Sequence, residues 1–248
     1  MRTLILILAM MSFTLLSYEQ EKHGPPHWSY EGPTGPDRWG DLNSDYSKCK
    51  TGSDQSPINI TDSVEADLPA IEFHYTETVL KIIDNGHTVQ VNSDGRSSMT
   101  VGGKQYQLLQ FHFHHPSEEQ MNGKSHDMVI HLVHQDAEEH KAVIAVLVDQ
   151  GPSNPVLKTI FNHLPRASEG EVTTGATINP ADLLPKTGSY YTFPGSLTTP
   201  PCSEGVTWFV LKQPVTLSQF ELEQFVKLYP HNARPVQPLH QRTVLSTR

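Results

Sequence analysis

The chain carries Gln110-Phe111-His112-Phe113-His114 and, further on, Ile130-His131-Leu132-Val133-His134. In a β-strand, residues two apart share a face. A strand through these positions therefore turns Phe111 and Phe113 into a core and Gln110, His112 and His114 into a cleft. A neighbouring strand through Met128 to Val133 can add His131. Three imidazoles on one metal leave a fourth position open, the ligand count of a catalytic zinc site rather than a structural one, where protein fills all four. Zinc held by neutral ligands lowers the pKa of a bound water to about 7 and presents hydroxide as a nucleophile at neutral pH. The chain has fourteen histidines, so the alternative is a His-rich, solvated strand face. The third histidine on a second alternating strand argues against it.

The elements that must position these side chains are short β-rich segments separated by nineteen prolines and sixteen glycines. They include Val79–Ile83, Thr88–Val91, Tyr106–His114, Met128–His134, Val143–Val148 and Val206–Leu211. Two helices are expected, both peripheral. One is Val156–Leu164 after Asn154-Pro155. The other is Gln219–Tyr229, capped by Ser218, with Glu221 completing a capping box and Pro230 marking the stop. The aromatic opening from His27 to Trp39 lacks periodicity and reads as a loop packed on a sheet.

Net charge is −9 with a pI near 5.8, and no Lys/Arg cluster is present to neutralise phosphates, so nucleic acid is excluded as a partner. Met1-Arg2 and the apolar run Leu4 to Leu16 read as a secretory signal over residues 1–18, too short to span a bilayer comfortably. Ser17 offers a small residue for cleavage, while Leu15 departs from the usual small-x-small pattern. Cleavage near residue 18 and a retained anchor are therefore both open. Export places residues 19–248, one domain, in the periplasm or outside the cell. The two cysteines, Cys49 and Cys202, then form either one disulfide or two buried thiols, and the oxidising compartment favours the disulfide.

Taken together, the residues resemble one family, the α-class carbonic anhydrases in their secreted bacterial form, from about His27 to Arg242. Beside the histidine strands, the resemblance rests on Gln55-Ser56-Pro57-Ile58-Asn59-Ile60, Asn85-Gly86-His87-Thr88, Pro116-Ser117-Glu118, Gly195-Ser196-Leu197-Thr198-Thr199-Pro200-Pro201-Cys202 and Arg234-Pro235-Val236-Gln237-Pro238-Leu239. It implies a mainly β (α+β) single domain on a large, mostly antiparallel twisted sheet with short peripheral helices, and Zn2+ at the bottom of a conical cleft. It implies reversible hydration of carbon dioxide to bicarbonate and a proton by zinc-bound hydroxide. His112, His114 and His131 would be the ligands, with Gln110 behind them. Thr198 would orient the hydroxide and donate to Glu118, and Thr199 would contact the departing bicarbonate. Val133, Val143, Leu197, Val206 and Trp208 would form the apolar wall for carbon dioxide. His87 would shuttle the proton through waters ordered by Tyr30, Asn85 and Gln90. Sulfonamides would inhibit, and a homodimer is allowed. His115, His134, His140 and His240 have no role in this scheme and are read as surface residues.

Two rivals compete. His112-x-His114-x-x-x-Glu118 fits cupin ligand spacing and would suggest iron or manganese oxygen chemistry, although Tyr106 stands where that pattern expects glycine. A non-catalytic binding module of the same fold would typically lack a zinc histidine, and none is lost here. The chain also departs from the resemblance. Typical members have Glu two before the third histidine, His after the threonine-orienting Glu, and Tyr ahead of the Gly-Ser-Leu-Thr segment. Here those positions hold Val129, Glu119 and Phe193. Metal-bound imidazole usually needs an acceptor for its other N–H, and the expectation is that Glu119 supplies it to His131. The alternative is a solvent-facing Glu119, with a carbonyl or water on His131.

Overall fold

The computed structural model describes residues 27–166 and 169–248, so the signal expected over 1–18 lies outside the described residues. A thirteen-stranded, mainly antiparallel sheet dominates. Its central path runs from the edge strand Val172–Ile178 through Thr78–Asp84, Val89–Asn92, Lys104–His114, Met128–Gln135, Lys141–Gln150 and Glu204–Leu211 to Tyr190–Ser196. Leu245–Thr247 and Val64–Ala66 close the other edge. The pairing of Lys141–Gln150 with Glu204–Leu211 is parallel, an exception in the middle of the path. Each sequence-read strand is found, lengthened by a residue or a few at its ends or shifted by one.

Both faces of the central strands are buried. Met128, Ile130 and Leu132 join Phe111, Phe113, Ile144 and Val146 in one core. Val129 and Val133 join Val143, Ala145, Phe193, Val206 and Trp208 in the other. His131 shares the parity of Val129 and Val133 and so belongs to the second face. The helices Pro155–Phe161 and Gln219–Leu228 are shorter than expected and are not peripheral in energetic terms. Phe161 and Phe225 pack on Phe113 at ring centroid distances of 5.2 and 6.0 Å, directly behind the histidine strand. Ser218 and Glu221 form the expected capping box.

Alternation breaks once within the histidine strand. Tyr106 and Leu108 are buried at even positions, Phe111 and Phe113 at odd ones, because the register with the next strand shifts between Val133 and His134. The bulge inserts one residue on the histidine side. It turns Leu109 out to 39% exposure while both apolar pairs stay in the same core. The surface reading of His134 is corrected here. With the parity of Ile130 and Leu132 it lies fully buried in that core, where its nitrogens meet Tyr75 Oη at 2.8 Å and the Leu132 carbonyl at 2.9 Å. Burial pushes its pKa down to about 4. His115 is half-buried against the Asp127 carbonyl, and His140 and His240 are exposed.

The opening segment packs as expected, with Trp28, Tyr30 and Trp39 edge to face. Cys49 and Cys202 are bonded, with Cα atoms 5.0 Å apart across 153 positions. The bridge ties the Thr198–Cys202 loop to the Lys48–Thr51 helix. Closing so long a loop stabilises by about 2–5 kcal/mol in the chain-entropy picture. Reduction should lower the thermal midpoint by about 5–15 °C for a domain of this size and reduce activity with it, read by melting and assay with and without reductant. Two reactive thiols in the native protein would contradict this.

Candidate metal centre

His112 and His131 face each other across adjacent strands, directly paired in register, and His114 lies one pleat further along. One ring nitrogen of each falls within 4.8 Å of the others. The partners of the remaining nitrogens decide which ones converge. His112 Nδ1 lies 2.9 Å from Gln110 Oε1 and His114 Nδ1 lies 2.7 Å from the Asn232 carbonyl. Both partners are acceptors, so Nδ1 carries the proton and Nε2 is left with a lone pair. His131 is reversed: its Nε2 sits 3.1 and 3.2 Å from the two oxygens of Glu119, which leaves Nδ1 as the free donor. Glu119 is fully buried and points inward, as the sequence expectation required.

Burial, followed by the charge of His131, pushes His112 down to about 3. Burial likewise holds His114 well below the imidazole range. Both rings are therefore neutral at pH 7, as metal ligation needs. Burial alone would depress His131, but the charge and hydrogen bond of Glu119 hold it above its ordinary value. Glu118 is also buried. Desolvation raises its carboxyl to about 7 against the pull of His131, the Arg234 N–H and the Thr198 hydroxyl. Its Oε1 accepts from Arg234 N at 2.8 Å. Its Oε2 lies 3.5 Å from His114 Nε2 and 3.8 Å from His131 Nδ1.

Among the described residues, three buried side-chain atoms lack a hydrogen-bond partner: Tyr30 Oη, His114 Nε2 and Glu118 Oε2. All three sit at this site. Buried polar atoms are rarely left unpaired, and three imidazole nitrogens facing one point form a donor set suited to a borderline-soft divalent ion, whose binding displaces any proton from them. The residues fit a metal.

The cleft above the triad has two lobes that meet at Gln110, His112 and Thr199. The apolar lobe, about 270 Å³, is lined by His131, Val133, Val143, Leu197, Thr198 and Trp208 among others. The polar lobe, about 130 Å³, is lined by Trp28, Tyr30, Asn85, His87, Gln90 and His114. Val206 is the exception to the expected wall: it is buried behind Leu197 and borders an adjoining pocket instead. Asn85 borders the polar lobe but commits its carbonyl to the turn, accepting from the backbone of His87 and Thr88.

A family model described as eukaryotic-type carbonic anhydrase matches residues 34–248. This chain belongs to the carbonic anhydrase family. It is 42% identical over 247 residues to a carbonic anhydrase of Neisseria gonorrhoeae, covering 98% of both chains. To one of Klebsiella pneumoniae it is 42% identical over 246 residues, 97% of this chain and 96% of that one. A solved α-carbonic anhydrase from Thermovibrio ammonificans, in complex with the inhibitor sulfanilamide, superposes with a TM-score of 0.87 at 43% identity, covering 90% of this chain and all of that one. The family and the open sheet remove the cupin reading, which needs a closed double-sheet jelly roll.

Two residues of this carbonic anhydrase site carry no role in the sequence reading. Asn232, fully buried, accepts from His114 Nδ1 and from the His115 N–H, and its amide donates to the His87 and Phe113 carbonyls. Its backbone carbonyl holds the candidate ligand His114 while its side-chain amide holds the His87 turn, so one residue ties the two together. Arg234 anchors Glu118 through its backbone and reaches Gln55, Ser56 and Cys49 with its guanidinium. The only advance signal is that Arg234 opens the Arg234–Leu239 segment and Asn232 lies two residues before it, in an irregular stretch with no periodicity to say which way it faces.

Proposed function

We propose that this carbonic anhydrase converts carbon dioxide and water reversibly to bicarbonate and a proton, with Zn2+ held by His112 Nε2, His114 Nε2 and His131 Nδ1. The observation that carries the reading is the pattern of hydrogen bonds that leaves those three ring nitrogens facing one point. Zinc held there lowers the pKa of a bound water to about 7 and so supplies a nucleophile at neutral pH.

The chain's own residues do the rest. Beside a cation Glu118 is ionised, because an opposite charge within a few ångströms favours the charged form. As a carboxylate it only accepts, so the Thr198 hydroxyl donates to it and can only accept on its other side. That oxygen accepts a hydrogen bond from the nucleophile's O–H and so aims its lone pair at the carbon. Val133, Val143, Leu197 and Trp208 hold the apolar substrate without competing hydrogen bonds, and Thr199, shared by both lobes, contacts bicarbonate as it leaves. Glu119 holds His131 in its ligating tautomer. The sulfonamide bound by the Thermovibrio relative would bind here too. The disulfide suits a periplasmic or secreted setting.

Hydration followed with a pH indicator should vanish on zinc chelation and return with Zn2+ alone, whereas hydration indifferent to the chelator overturns the reading. The proton leaves through the polar lobe. His87 stands at its outer end, stacked on Trp28 with centroids 3.6 Å apart. Burial and neighbouring His27 lower its pKa, so it is neutral at pH 7 and free to accept. His87→Ala should lower kcat about tenfold or more in weak buffer while sparing kcat/KM, with imidazole restoring the rate. Unchanged turnover in weak buffer would show that another route carries the proton.

A further inference from the structure

The apolar lobe does not end in apolar surface. From its floor outward the paired positions are His131 with Ala145, Val133 with Val143, and Gln135 with Lys141. Residues two apart share a face, so Lys141 stands on the face of the metal ligands, four strand residues or about 13 Å above them. Its stem lines the lobe beside Leu109 and Val143, a normal use of a long aliphatic side chain whose charge stays wet. Its Nζ donates to Gln135 Oε1 at 3.2 Å, which leaves two N–H groups free.

Among the described residues no carboxylate lies within ion-pair distance of Lys141. Two of the acids nearest it are engaged elsewhere. Asp136 pairs with Lys104 and His140. Glu204 pairs with Lys48 and accepts from Asp54 N. Glu139 lines the adjoining pocket together with Lys141, but not the apolar lobe. What sets Lys141 apart is its place at the mouth of an apolar lobe, where the low-dielectric wall beneath it strengthens attraction for an anion.

We propose that Lys141 makes the cleft mouth an anion subsite, selecting metal-directed ligands that carry a carboxylate or sulfonate at the end of an apolar body. The proposal rests on the zinc reading above. Sulfanilamide, its N4-succinyl derivative and the neutral succinamide analogue are suitable probes against the zinc-loaded protein, because the two acylated compounds differ only in the terminal charge. The succinyl carboxylate should bind about 5-fold tighter than the succinamide, the scale of one solvent-exposed charge pair. Salt at about 0.5 M should shrink the difference by screening. Lys141→Arg should keep the preference, Lys141→Leu should remove it and Lys141→Glu should reverse it, while sulfanilamide binds all four proteins alike. Equal carboxylate preference in the wild-type and Lys141→Leu proteins overturns the subsite. Failure of all three sulfonamides to bind the wild-type protein instead overturns the zinc reading.

Discussion

Replacing His114 with Ala should remove zinc and carbon dioxide hydration together, leaving the rate of buffer alone. His114 is 1% exposed and its Nδ1 is held by the Asn232 carbonyl, so its Nε2 has no freedom to be replaced by a neighbouring group. Two imidazoles fall short of the three protein ligands that hold a catalytic zinc ion, and the loss of rate is limited only by the catalysis present, commonly 10⁶-fold or more. Metal content by mass spectrometry, stopped-flow hydration and a thermal melt check this together. The melt is needed because truncating a buried ring costs about 2–5 kcal/mol in its own right, and an unfolded variant would prove nothing about ligation. His114→Gln, which fills the space without an imidazole, should be folded, metal-free and inactive. A folded, metal-free His114→Ala protein with full activity would sink the assignment.

Glu119→Ala should speed zinc release about 10–100-fold, the usual cost of removing a ligand's outer hydrogen-bond partner, and lower hydration in step. The carboxylate approaches His131 Nε2 with both oxygens, and Val129, fully buried next along the same face, has no atom that can accept in its place. Glu119→Gln keeps an acceptor but not the charge and should fall between the two. Phe193 and Trp208 stack nearly parallel, 3° apart, in the same core as Val129, so no hydroxyl competes for His131 from that side. Adding Val129→Glu to Glu119→Ala should therefore recover part of the loss, because position 129 shares the face and strand of His131. Release rates measured with a chromogenic chelator separate this from catalysis. Wild-type zinc retention in Glu119→Ala would show that Glu119 is only a buried structural acid.

The histidine strands were legible because a β-strand has a period of two, and His112, His114 and His131 had to emerge on one face of adjacent strands. The capping box at Ser218 was legible for a related reason: its partners are three residues apart, and local spacing determines local hydrogen bonds. Even the inward turn of Glu119 could be expected, since a metal ligand with no acceptor on its own strand requires one from elsewhere. Tertiary structure decided everything that depended on which distant segment arrives. Asn232 meets His114 from 118 positions away and Arg234 meets Glu118 from 116, and no periodicity links such pairs. The bulge at Leu109 reverses the parity of part of the histidine strand and lifts Leu109 into the cleft, whereas His134 is buried because both faces of its own strand are covered. Lys141 became part of the cleft for the same kind of reason: a strand residue acquires a face only when its neighbours are in place, and the register with Gln135, not its own identity, set it above the metal ligands.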